Sequence, residues 1–109
     1  MADRVGQVEL MALLAVMRLG DEAYGVSIAK DIEATGSQTV PLASLYLALD
    51  RLEEKGLVCS ALGQPTAARG GRAKRHFRIT ADGLAAVKEA RKALTRMWAA
   101  IPSLRGDEA

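Results

Sequence analysis

Residues 7–19, QVELMALLAVMRL, put apolar side chains on almost every face of a 3.6-residue period. A helix of this length with that pattern is one covered by neighbours over most of its circumference. Gly20 follows at the usual stop position. After the turn DEA, Tyr24, Ile28 and Ile32 recur at i, i+4 and i+8 and predict a short amphipathic helix ending near Thr35 and Gly36. Its other face carries Ser27, Lys30, Asp31 and Glu33. A third helix is predicted from Pro41, which suits a first turn, to the closing Gly56, with Leu45, Leu49 and Leu52 as its buried stripe. The period then changes to two. Residues 57–62 read as a strand, GQPTAARGG as a turn-rich loop, and 74–80 alternate His76 and Arg78 against Phe77 and Ile79, so a hairpin, or wing, is expected.

Thr80 can cap a last helix, with Asp82 in the first turn where the helix dipole favours an acid. Val87, Ala90, Leu94, Met97, Ile101 and Leu104 follow the 3, 4, 3, 4, 3 spacing of a coiled-coil seam. Over 81–101 this helix would be about 30 Å long, more than a core of this size needs to cover, so part of the seam is expected to meet a partner chain. Pro102 marks its end. The fold expected is mainly α with a small β-hairpin: a winged helix-turn-helix over 1–80, then a C-terminal dimerisation helix and short tail over 81–109, in one structural unit.

Composition changes this picture only through charge. The 109 residues carry a net charge of +2, but residues 69–78 hold five of the 15 basic side chains and no acid, leaving ten bases against thirteen acids elsewhere. A basic patch on a mildly acidic body is a docking surface for a polyanion. Arg69, Arg72, Lys74, Arg75 and Arg78 can neutralise phosphates, and Gly70 and Gly71 let the tip approach a duplex closely. In a helix-turn-helix the second helix of the motif enters the major groove, which makes the helix from Pro41 the reader. Its early exposed positions, Leu42, Ala43, Ser44, Tyr46 and Leu47, include no base. Ser44 and Tyr46 can offer hydroxyls to bases or phosphates, a core-edge place being the alternative for Tyr46. Leu42 or Ala43 can touch a thymine methyl. Arg51 lies nearly two turns further in, as a phosphate or structural contact. Tyr24, Lys30 and Gln38 complete the candidate DNA-binding set. Asp50, Glu53 and Glu54 should face away from phosphates, so attraction falls to the wing.

Other residues have plainer readings. Cys59 can form no internal disulfide and is expected as a small buried or half-buried hydrophobe. His76 reads as a strand-surface residue. No metal or cofactor is implied. Val8 to Leu19 is too short and too charged for a membrane span, and a cytoplasmic protein is expected. With one His, one Cys and no acid cluster of recognisable geometry, nothing suggests an enzyme.

Together, AYGVSIAKDIE (23–33), ASLYLALDRLEEKGLV (43–58) and RGGRAKRHFRITADG (69–83) resemble the PadR family of bacterial transcriptional regulators, over about residues 6 to 101. The resemblance implies a homodimer built on the C-terminal helix, binding a pseudo-palindromic operator in double-stranded DNA and repressing until a small molecule or stress signal releases it. It implies the short branch, with a single C-terminal helix. Ser44 and Tyr46 match the reading-helix motif, Tyr24 and Gly25 the entry to the support helix, and Arg72 to Arg75 the wing. Ala43 replaces the family's usual glycine. Some short members sandwich aromatic drugs with a tryptophan on the last helix, a role to which Trp98 could correspond. Two readings of Trp98 stand: dimer packing, or a wall of a cavity for a small aromatic effector. The wing also resembles a subgroup encoded beside membrane transport permeases. The alternative function is a winged-helix module that binds protein instead of DNA.

Overall fold

A computed structural model describes residues 5–36, 38–63 and 74–104. The chain order is α1 (Gln7–Leu19), a 3-10 turn (Gly20–Glu22), α2 (Gly25–Gly36), α3 (Leu42–Glu54), β1 (Val58–Leu62), β2 (Arg75–Ile79), α4 (Ala81–Ala99) and a final 3-10 turn (Pro102–Leu104).

One core holds these elements together. Ala12, Leu13, Ala15 and Val16 of α1 are buried among Ile28 and Ile32 of α2 and Leu45, Leu49 and Leu52 of α3, with Leu57, Val58, Phe77 and Val87 closing the cluster. The stripes expected on the second and third helices are therefore both core. At the start of α1, Glu9 is buried but not orphaned. It accepts the Gly6 N–H at 2.8 Å and the Lys55 ammonium at 2.9 Å, fastening α1 to the end of α3. Burial would raise its carboxyl; the Gly6 N–H, the Lys55 ammonium and the Arg51 charge outweigh that and hold it below its ordinary value.

Several boundaries differ from those expected, each for a local reason. Tyr24 precedes α2 instead of opening it. Its N–H donates to Ser27 Oγ at 3.0 Å, and it forms an isolated antiparallel bridge with His76 of β2. Pro41 stands just before α3, where its carbonyl accepts the Leu45 N–H at 3.0 Å. Leu57 lies outside β1 because it completes the stop of α3. Its N–H donates to Leu52 O at 2.9 Å, and the Gly56 N–H donates to Glu53 O at 3.0 Å, the paired bonds of a Schellman ending.

β1 and β2 pair antiparallel, with Ser60 opposite Phe77 and Val58 opposite Ile79 on the inner face, and Cys59 opposite Arg78 on the outer. Cys59 is exposed, not the buried or half-buried hydrophobe expected, because alternation gives the core side to Val58. The outer edge of β2 is tied to the segment before α2 by the Phe77 N–H, which donates to Ala23 O at 2.8 Å.

Thr80 caps α4 as expected: its Oγ1 accepts the Gly83 N–H at 3.0 Å and donates to Gly56 O at 2.7 Å. Gly83 is required by close approach, since a Cβ there would lie 2.0 Å from Leu57 O. α4 ends at Ala99, two residues before the expected limit. Ile101, preceding Pro102, is disfavoured in helical backbone and closes a tighter turn to Trp98 O at 3.0 Å. Val87 is only 8% exposed and belongs to this chain's own core, so its expected place in a dimer seam is corrected. Leu94, Met97, Trp98, Ile101 and Leu104 are exposed and Ala90 half-buried.

Candidate nucleic-acid interface

The front of α3 is a surface without charge. Leu42, Ala43, Ser44, Tyr46 and Leu47 are all exposed, Leu47 most among the large apolar ones at 57%. Leu45, Ala48, Leu49 and Leu52 point the other way, into the core. Ser44 is therefore open to solvent on the outer face of α3. Tyr46 does two things at once. Its face is partly open, but its ring edge lies against Gly25 at the start of α2, so closely that a Cβ on Gly25 would come within 2.0 Å of its hydroxyl. The hydroxyl is thus directed at the neighbouring helix, and the two residues of the entry and reading motifs form one contact. Sequence reasoning missed this pairing, for which the only signal was the glycine itself.

Beside this front stands the root of the wing. Lys74 holds its ammonium 4.0 Å from the centroid of the Tyr24 ring, whose edge also meets His76 with centroids 5.5 Å apart. Tyr24 thus lies between α2 and the wing, its ring attracting the Lys74 ammonium. Arg78 pairs loosely with Asp21 at 3.3 Å, both highly exposed, a contact worth little in water. Arg69 and Arg72, with Gly70 and Gly71, lie outside the described residues.

Arg75 is placed differently from the free phosphate contact expected. Its Nη1 donates to Asp50 Oδ1 at 3.2 Å, its Nη2 donates to Glu53 Oε1, and its Nε donates to Ser60 Oγ at 3.1 Å. Ser60 Oγ in turn donates to Glu53 Oε2 at 2.8 Å. The Ser60 hydroxyl first, and the Arg75 charge with it, hold the Glu53 carboxyl below its ordinary value against a smaller opposing effect of burial. Asp50 and Glu53, expected simply to avoid phosphates, instead face the wing.

The remaining candidates are dispersed. Lys30, Gln38 and Arg51 are exposed, and the Arg51 charge acts on Glu9 of α1. On α4, Lys88, Arg91, Lys92, Thr95 and Arg96 line an open groove of about 530 Å³, a second basic stripe that the count over 69–78 had hidden. Among the described residues no group of acids, His and Cys could hold a metal ion, and no helix is long and apolar enough to cross a membrane.

A support helix crossing a reading helix, a two-stranded hairpin beside them and a long helix behind define a winged helix-turn-helix with an appended C-terminal helix. The chain belongs to the PadR-like family of transcriptional regulators, whose model matches residues 13–89. It is accordingly a DNA-binding transcriptional regulator, not an enzyme. Its fold is similar to that of a transcriptional regulator from Clostridium thermocellum, at 25% identity and a TM-score of 0.74 over 90% of this chain and 89% of that one. A PadR family regulator from Clostridium difficile R20291 is similar at 24% identity and 0.76, over 93% and 100%. A PadR-like regulator from Bacillus cereus is similar at 20% and 0.71, over 91% of each. Comparison with curated protein sequences matched none of them.

Proposed function

We propose that the protein is a homodimeric repressor that reads a pseudo-palindromic operator with α3 and grips it with the wing, and that a small molecule or stress signal releases it. The observation that carries this reading is the uncharged, exposed front of α3 standing beside a basic wing root. A surface without acids can enter a groove lined by phosphates, and Lys74 at the wing root, with Arg69 and Arg72 of the same basic run in the sequence, supplies the attraction that it lacks. The dimer is supported by α4, which exposes Leu94, Met97 at 65%, Trp98 at 51% and Ile101. A helix with an uncovered apolar face is half of an interface, and a second copy supplies the matching half. Ala90, Leu94, Met97 and Ile101 make that seam. Trp98 stands at its edge, where an aromatic effector can stack.

Salt titration tests the DNA reading. Affinity for duplex DNA should fall steeply with salt, and Arg69→Ala with Arg72→Ala should weaken binding to all sequences while flattening the logarithmic slope by about one per lost phosphate contact. Binding that ignores salt, or a double variant that binds like the parent at every salt concentration, would remove the basis for the wing's role. A protein-binding module would behave in the first of those ways.

A further inference from the structure

At the root of the wing a single guanidinium, 38% exposed, is engaged by three of the protein's own acceptors. Three nitrogens of Arg75 meet three acceptors on two elements: Asp50 and Glu53 of α3, and Ser60 of β1. Its guanidinium carbon also lies 4.9 Å from the ring centroid of Phe77, a residue with 1% exposure. Such an arrangement needs the planar fork of arginine; the point charge of a lysine cannot meet three acceptors in fixed directions. A two-stranded hairpin is marginal by itself in water and takes its orientation from what it packs on. Here a side-chain tie from β2 to α3 runs through Arg75.

We propose that Arg75 is a positioning residue: with Asp50, Glu53 and Ser60 it locks the wing at a fixed angle to α3, so that both address one duplex as a rigid unit and operator is favoured over random DNA. This rests on the function proposed above. Two contacts held in one geometry bind as a single event, and loosening the link makes the second contact cost its own ordering. Random DNA, which needs only charge, does not require that angle.

Charge alone leads to opposite expectations. Glu53→Gln removes a negative charge from a DNA-binding face, which should tighten binding to all DNA. Arg75→Lys keeps a positive charge and should preserve a phosphate contact. With the lock, both should weaken binding roughly tenfold to the duplex that the parent protein selects from a random-sequence pool. Binding to random duplex should stay within about twofold, and the salt slope on the selected duplex should not change, because no phosphate contact is lost. Both variants are compared below the unfolding transition of each. Hydrogen exchange of the β2 amides in the DNA-free proteins provides a second readout, expected to accelerate in both variants. The lock is overturned if Glu53→Gln binds the selected duplex as tightly as the parent or more so. It is also overturned if Arg75→Lys binds normally while Arg75→Ala lowers the slope by about one. Unchanged β2 exchange sinks the lock alone, whereas failure of the parent to select any duplex sinks the proposed function and the lock with it.

Discussion

Glu9 is a carboxylate on a helix that is otherwise nearly all apolar, and its neighbours explain why it is tolerated. A buried charge is costly unless paired and hydrogen-bonded, and Gly6 and Lys55 meet both conditions. Glu9→Gln should lower stability at neutral pH by about 1–3 kcal/mol, read by urea denaturation. Because the folded carboxyl lies below its ordinary value of 4.5, its contribution is complete above that pH and fades as pH falls through the lowered folded value. The gap between parent and variant should therefore close in acid; a gap that persists undiminished to about pH 3 would contradict the pairing. Single residues were the least legible level of the sequence. Periodicity placed Phe77 on the inner face and Arg78 on the outer, but nothing in it distinguished Arg75, engaged by three partners within the chain, from the basic residues around it. Cys59 and Val87 were misjudged for the same reason. Which side of a strand or helix meets this chain's own core depends on packing between distant elements, and sequence spacing does not record it.

The elements were legible because each repeats its period long enough to be recognised and ends on a residue that stops it. The helix-strand-helix order, the hairpin and the Thr80 cap follow from local chemistry, and the family motifs agree with it. Boundaries moved where tertiary bonds took a residue away, as the bridge to His76 did with Tyr24. The contact between Gly25 and Tyr46 shows the same dependence, joining two helices through positions 21 residues apart. Gly25→Ala should be destabilising by about 1–2 kcal/mol, since the added Cβ must displace the tyrosine ring. In a Tyr46→Ala background the same change should be neutral or stabilising, as alanine is the better helix former by up to about 1 kcal/mol. Thermal or urea unfolding of the four proteins measures this coupling; an equal cost in both backgrounds would show that the ring does not set the crossing of α2 and α3.

At the scale of the molecule, the winged head is finished and α4 is not. The head buries one core, whereas the second half of α4 leaves Leu94, Met97, Trp98 and Ile101 open along one face. An apolar stripe on α4 was legible from its spacing; where it passes from the chain's own core to open surface, between Val87 and Leu94, was not. In the proposed assembly two copies close this face and set two reading helices at a fixed separation, matched to half-sites about one helical turn apart. Leu94→Glu would bury a charge in that seam and should give monomers, with the head still folded. The most direct measurement is a footprint, for parent and Leu94→Glu, on duplexes that the parent selects from a random pool, with protein mass measured in parallel by sedimentation. The expected result is a dimeric parent protecting two symmetric half-sites about one turn apart and a monomeric variant that protects neither. A parent that protects one isolated site, or a monomeric variant that binds as tightly as the parent, would contradict a dimeric reader of DNA.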